Sequence, residues 1–445
     1  MENSGSIKRQ HSVKVPRLYK DASKALKQVE ESGEGLKNAI HSLKHPNIKA
    51  LTALVSEALK HSRQLEVVMK KSKLLKNEVG LSKQTYLAKI LITELLWGKK
   101  RLGGESKPVV TVLSYKDKFE KALAKLESVN DDATGGLEDA VFRKPRYVRI
   151  NTLKLAFEDA VSYLLDEGWN QVVDTNYCYL EPHDFAVDDF VDNLLVFAAG
   201  VELHDHPLYK NGSFVLQDKA SCLAALALKP RSGRQIIDAC AAPGMKTSLL
   251  AALTEGENPI IAIEKSTRRF ETLNTILADL GVTSVTTLNQ NFTDLIPEEY
   301  KDVEYILVDP SCSGSGMYGR LEIQLQSREK DAERIQRLSF YQQKLLRHAM
   351  RFPSVKRIVY STCSINSEEN EDVIASALEW INTPTPERED VGLSGVNWSF
   401  KLKRALPNWT HRLNNEQYHW ADMCVKADES DLTDGFFVSV LERVK

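Results

Sequence analysis

Two cysteines stand where apolar runs give way to small polar residues. Cys363 lies in YSTCSI (360–365), directly after Ile358-Val359-Tyr360, and Cys312 lies in VDPSCSGSG (308–316), after Ile306-Leu307-Val308. A thiol used for packing asks for apolar neighbours, whereas these have Ser361, Thr362, Ser311 and Ser313 beside them. The thiolate is the reactive form of cysteine, so each sulfur would need its pKa lowered towards neutrality. Lys246, at the start of a predicted helix, is a cation that could do this.

One demanding reaction asks for a nucleophilic thiol of this kind. Carbon 5 of cytosine is not nucleophilic, but a thiolate added to carbon 6 makes it enamine-like and able to attack a methyl donor. A base must then take the carbon-5 proton so that the sulfur can leave. Asp309, immediately before Pro310, is suited to hold the cytosine amino group and ring nitrogen.

Strands and helices must bring these loops together. From about residue 211 the chain alternates: strands at 236–237, 260–263, 285–288, 305–308 and 358–360, and helices at 247–253, 268–280 and 332–350. A polar stretch, 381–431, precedes a last strand at 436–440. Such alternation predicts an α/β domain with a mainly parallel sheet, helices on both faces and ligands at the carboxyl ends of the strands. Both cysteine loops fall at that edge.

The first turn of this domain, IIDACAAPGMKT (236–247), joins a strand to a helix through very small residues. Cys240, Ala241, Ala242, Pro243, Gly244, Met245 and Lys246 would let a ligand lie against backbone, and free amides at the helix start favour polar groups. It is neither a GxGxxG nor a P-loop pattern. Glu264, twenty residues beyond Gly244, closes the next strand where a carboxylate can accept both ribose hydroxyls of a nucleoside cofactor, and Asn291 follows the third strand where an amide could meet adenine. Together these favour S-adenosylmethionine over NAD.

The 445 residues suggest two or three domains. Helical spacing of Leu51, Leu54, Val55, Ala58 and Leu59, and of Leu87, Ile90, Leu91 and Leu95, predicts a helical domain over 1–136, closed by the linker NDDATGG (130–136). RKPRYVRINTLK (143–154) opens a small α/β domain, 137–210, in which Tyr147 and Ile150 alternate with Arg146, Arg149 and Lys154. That interleaving suits RNA contact, and a half-buried edge strand with a solvated basic face explains it almost as well. The catalytic domain would occupy 211–445. Residues 1–110 hold 22 Lys and Arg against 10 Asp and Glu, although the whole chain has a net charge of −2. A basic arm on an acidic body can steer towards a polyanion. No apolar stretch is long enough for a membrane span, MENSGSIKRQ has no signal-peptide core, and the six scattered cysteines show neither zinc spacing nor a disulfide framework, so a soluble intracellular protein without metal is expected.

QDKAS (217–221), DACAAPGMKT (238–247), VDPSCSGSG, YSTCS with EENEDV (360–373) and DGFFV (434–438) resemble, in order, the Sun-type RNA (cytosine-5) methyltransferases. The helical amino-terminal region and LHDHPLY (203–209) are similar to the branch acting on large-subunit ribosomal RNA. The resemblance implies a Rossmann-like methyltransferase domain preceded by a small RNA-recognition-like domain. It implies Cys363 as nucleophile and Cys312 as an aid to product release, with Cys240 through Lys246, Glu264, Arg269, Asn291 and Asp309 at cofactor-contact positions. Ribosomal RNA or a pre-ribosomal particle would be the partner, the enzyme a monomer and its place the nucleolus. Met245 stands where a second glycine is usual, Glu264 where Asp is commoner, and Asn291 where an acidic adenine contact is common. A non-catalytic ribosome-assembly factor, the same chemistry on transfer RNA or another RNA, and a DNA cytosine methyltransferase are the competing readings. The last lacks a TC cysteine, so the presence of both thiols argues for RNA.

Overall fold

The computed structural model of the chain describes residues 13–32, 36–131, 144–173, 176–317, 328–383 and 398–444. MENSGSIKRQ, most of the NDDATGG linker, Arg143 and residues 384–397 of the polar stretch lie outside the described residues. Two compact units divide the remainder, a helical one up to residue 131 and a mixed one from residue 144 onward.

In the helical unit, Ile48–Lys60 buries Leu51, Leu54, Val55, Ala58 and Leu59, the apolar stripe its spacing predicts. Thr85–Leu96 buries Leu87, Ile90, Leu91 and Leu95 and is apolar on most of its circumference, as a central helix must be. Lys89 on it meets Glu30 of Arg17–Ser32 at 2.6 Å. Lys99, Lys100 and Arg101 follow it on the surface.

The mixed unit holds two sheets. The smaller comprises β1 (Arg146–Ile150), β2 (Asn170–Gln171), β3 (Asp184–Val187), β4 (Leu194–Phe197) and β5 (Phe214–Leu216), in the order β2-β3-β4-β1-β5. β5 extends this sheet beyond residue 210, where the small domain is expected to end. β1 lies between β4 and β5, so it is no edge strand. Helix Phe157–Asp166 covers one face through Ala160 and Leu164.

The larger sheet comprises β6 (Gln235–Asp238), β7 (Ile260–Ile263), β8 (Val285–Leu288), β9 (Val303–Val308), β10 (Arg357–Thr362), β11 (Ser399–Lys403), β12 (Val425–Ala427) and β13 (Phe436–Val444). Its order is β11-β13-β10-β9-β6-β7-β8, with β12 on β13. Strands β6 to β10 run parallel, and β13 is antiparallel. Every residue of β7 and β9 is buried, which is why β7 and the 305–308 part of β9 read as apolar runs. Each such Ile, Val or Leu contributes roughly 1.5–3 kcal/mol by leaving water. The chain steps from β6 to β8 on one side and returns to β9 on the other, placing a switch point between β6 and β9. A ligand crevice opens at the carboxyl ends of strands that diverge in this way.

Candidate active site

The turn after β6 forms one wall of that crevice. The Ala241 amide donates to the Ile263 carbonyl at 2.9 Å, and Gly244 takes φ +111° before helix Met245–Leu253. A side chain at Gly244 would be strained there and would stand 3.1 Å from Leu273, so the tight turn needs this glycine. Asp238, Cys240, Ala241, Ala242, Pro243, Met245 and Lys246 line a cavity of about 310 Å³, together with Asp309, Pro310, Cys363 and Phe436.

Four carboxylates line this cavity (Asp218, Asp238, Asp309 and Asp434) against one cation, Lys246. Asp238 is buried, and its Oδ2 accepts from the Thr247 hydroxyl at 2.7 Å. Its size and acidic lining fit a cationic sulfonium donor and do not fit a phosphate-bearing dinucleotide. Glu264, buried at the end of β7, accepts from the Ser266 amide at 2.8 Å and meets Arg269 Nη1 at 3.2 Å. Arg269 Nη2 donates in turn to the Ala242 carbonyl at 2.5 Å. These two residues brace the turn from outside the cavity lining. Asn291 also stands outside it, donating to Thr293 at 2.7 Å and accepting from the Tyr341 hydroxyl at 2.9 Å.

The sulfurs of Cys312 and Cys363 lie 3.1 Å apart. Parallel pairing of β9 with β10, Val308 opposite Tyr360, delivers both loops to one edge. Cys363 lines the cavity and Cys312 does not. Both thiols were expected to need a lowered pKa, and Cys312 departs from that expectation. The hydrogen bond with Cys363 and then burial push its thiol well above the ordinary value. Of the other cysteines, Cys222 and Cys424 are fully buried and act as packing.

Lys246 meets Asp309 Oδ2 at 2.8 Å and lies over the Phe436 ring, 5.2 Å from its centroid. Burial works against its charge, but Asp309 first and Cys363 after it outweigh burial, and its pKa is raised. Asp309 Oδ1 accepts from the Ser361 hydroxyl at 2.7 Å. The acid is therefore held from two sides, facing the sulfur edge.

Glu369 is the residue that type and spacing leave unremarked. Fully buried, it accepts from the Ser313 amide at 2.8 Å and the Ser364 hydroxyl at 2.6 Å, the residues next to Cys312 and Cys363. Gln342 and Asn366 donate to it at 3.0 and 3.2 Å. One carboxylate thus ties the two cysteine loops together. The Gly316 amide adds a bond to the Cys363 carbonyl at 2.9 Å. The signal available in sequence was a glutamate within EENEDV, just after the second cysteine loop. A second clamp joins QDKAS to DGFFV: Lys144 meets Asp218 at 2.8 Å and Asp434 at 2.6 Å.

Two residues of the basic strand expected to meet RNA are instead committed to internal contacts. Tyr147 is buried and donates to the Leu432 carbonyl at 3.0 Å. Arg149 is 1% exposed and donates to Gln217 and to Ser248, each at 2.8 Å. Lys154 donates to the backbone carbonyls of Asn211 and Asp279. β1 is central, and its Arg149 reaches Ser248 on helix Met245–Leu253, whereas Arg146 is half-buried and Lys154, beyond the end of the strand, is exposed.

Comparison with known proteins agrees with this architecture. Models described as the N-terminal and ferredoxin-like domains of NOL1/NOP2/Sun domain family member 5 match residues 49–134 and 144–217, and the 16S rRNA methyltransferase RsmB/F model matches 225–441. The 28S rRNA (cytosine-C(5))-methyltransferase of Mus musculus is 38% identical over 442 residues, covering 96% of this chain and 91% of the relative. That of Drosophila melanogaster is 37% identical, covering 98% of each. The crystal structure of PH0851 shares the fold at 19% identity, with a TM-score of 0.62 over 97% of this chain and all of that one. With three segments matched in order and relatives aligned over nearly their full length, the chain belongs to the Sun family of RNA (cytosine-C5)-methyltransferases, in the branch named for large-subunit ribosomal RNA.

Proposed function

We propose that the chain methylates carbon 5 of a cytosine in large-subunit ribosomal RNA, with Cys363 as the covalent nucleophile and Cys312 as the group that assists its departure. The observation that carries this reading is the 3.1 Å sulfur pair beside a cavity with an acidic lining. S-adenosylmethionine bound in that cavity supplies an electrophilic methyl group; Cys240 through Lys246 would hold it against backbone, and Glu264 with Arg269 would brace the turn.

Cys363 adds its sulfur to carbon 6 of the cytosine, and the ring's electron pair becomes available at carbon 5. Asp309, fixed by Lys246 and Ser361, holds the amino edge of the ring. Once carbon 5 carries the methyl group, its proton passes to a base, the double bond re-forms and the Cys363 sulfur leaves carbon 6. Cys312, its sulfur 3.1 Å away, is placed to give a hydrogen bond to that sulfur as negative charge develops on it. Cytosine must be unstacked to reach this edge, at a cost of a few kcal/mol that RNA contacts elsewhere offset.

A ribosomal RNA substrate would locate the enzyme in the nucleolus. Tritiated S-adenosylmethionine given with large-subunit ribosomal RNA from cells lacking the gene tests the proposal. Label in one cytosine, mapped by bisulfite sequencing, is expected. Absence of label in RNA that the protein binds would leave the assembly-factor reading in its place.

A further inference from the structure

Helix Arg328–Ala349 has two unlike faces. The inner one serves the site described above: Gln342 donates to the Ser311 carbonyl at 3.1 Å, Ser339 to the Glu368 carbonyl at 2.5 Å, and Leu345, Leu346 and Ala349 are buried. The outer one carries Arg337, Phe340, Lys344 and Arg347, and Arg351 continues the line just past the helix end. Their spacing of three and four residues puts them on one face. From 334 to 351 the sequence holds five Arg or Lys and no Asp or Glu.

This face is shaped as well as charged. Phe340, Lys344, Arg347, His348, Arg351 and Trp380 line a groove of about 370 Å³, and no carboxylate is among its described lining residues. Asp294 and Glu379 each adjoin a lining residue along the chain without lining the groove. Arg347 is set in place over the Trp380 ring and donates to Ser376 at 2.8 Å. Burial, followed by Arg351 and Lys344, pushes the His348 imidazole down to about 4, so it adds no charge of its own near neutral pH. Phe340 is 73% exposed at the rim.

A solvated basic surface has no need of a phenyl ring held in water. Cations interleaved with an exposed aromatic are what single-stranded nucleic acid requires, with phosphates on the cations and a base on the ring. The helix is about 10–12 Å across, and its other side holds the Cys312 loop. RNA bound on the outer face would therefore lie close to the target cytosine. We propose that this groove binds the single-stranded segment flanking that cytosine, with Arg337, Lys344 and Arg351 on phosphates and Phe340 stacked on one base. The proposal rests on the RNA reading above and says which surface the substrate uses.

Fluorescence anisotropy with a labelled single-stranded RNA from a large-subunit loop tests it, using the full chain and the variants Phe340→Ala and Arg337→Ala/Lys344→Ala. All three side chains are exposed, and melting curves check that the variants fold. Phe340→Ala should weaken binding about 5- to 150-fold, the worth of one stacked base. The double variant should flatten the slope of log affinity against log salt by about 1.4, or about 0.7 for each lost phosphate contact. Affinity for S-adenosylmethionine, measured without RNA, should stay at the parental value in both. RNA affinity within twofold of the parent together with an unaltered salt slope would overturn the assignment. Weaker binding to pre-ribosomal particles with no loss on RNA alone would overturn it too, giving the groove to a protein. A parent that binds RNA but transfers no methyl group would sink the methyltransferase reading, while the binding data still decide the groove.

Discussion

Cys312 Sγ stands 3.1 Å from Cys363 Sγ, and only Cys363 borders the cavity. The asymmetry gives the two thiols separable roles. Removing Cys312 takes away the proton donor that helps the other sulfur leave, so Cys312→Ala given RNA and S-adenosylmethionine should accumulate a denaturation-resistant protein–RNA adduct. Cys363→Ala should form none. Gel mobility after denaturation reads both, and an adduct seen with Cys363→Ala but not with Cys312→Ala would exchange the roles.

Glu369 holds both loops through charge-assisted bonds. Burial alone would raise its pKa, but the bonds from Ser313, Ser364 and Gln342 outweigh burial and hold it below the usual carboxylate range. Glu369→Gln turns an amide donor towards groups that are themselves donors. Losing about 3 kcal/mol of such bonding should lower kcat roughly 100-fold. Donor affinity should persist, and adduct formation in the Cys312→Ala background should be lost; unimpaired adduct formation would contradict the positioning role. A depressed folded pKa adds stability above the unfolded value of about 4.3 that is lost as pH falls through the folded one. The stability gap between parent and variant should therefore narrow on acidification below about pH 4.

Asp238 behaves in the opposite sense. Burial raises its pKa to about 6, only partly offset by the hydrogen bond from Thr247 at 2.7 Å. Between the unfolded value near 3.9 and the folded one, the native state holds the extra proton, so stability falls as pH rises through this window. Asp238→Asn keeps an oxygen for Thr247 and removes the titration. Melting curves should show the variant about 1–3 kcal/mol more stable at pH 7.5 and level with the parent near pH 4. Its affinity for the cationic donor should fall, an exchange of stability for function. Parallel pH profiles for the two proteins would show that Asp238 is not the strained group.

The central strands of the larger sheet were legible because buried apolar runs such as 260–263 and 305–308 mark them, and the sulfur pair because its two runs end on neighbouring strands; β11 and β12 lie in the stretch read only as polar and were not. What sequence could not show was which polar residues would be buried. Arg149 and Tyr147 read as an RNA face by residue type, yet their partners lie far along the chain: Ser248 is 99 residues from Arg149, and Leu432 is 285 from Tyr147. Glu369 escaped notice for the same reason, since its bond to the Ser313 amide spans 56 residues. Long-range polar partners are set by packing, and no local pattern encodes them.

Arg149 provides the direct check of that correction. Burial lowers its pKa to about 10, its partners Gln217 and Ser248 are neutral, and its buried Nη1 has no hydrogen-bond partner among the described residues. Arg149→Lys cannot reach both partners with one ammonium group, leaving buried polar groups unpaired at roughly 2–4 kcal/mol. The melting temperature should fall by several degrees. RNA affinity, measured well below that temperature, should match the parent, because a residue sealed between β1 and helix Met245–Leu253 touches no ligand. A variant that melts with the parent and binds RNA tenfold more weakly would return β1 to the RNA face.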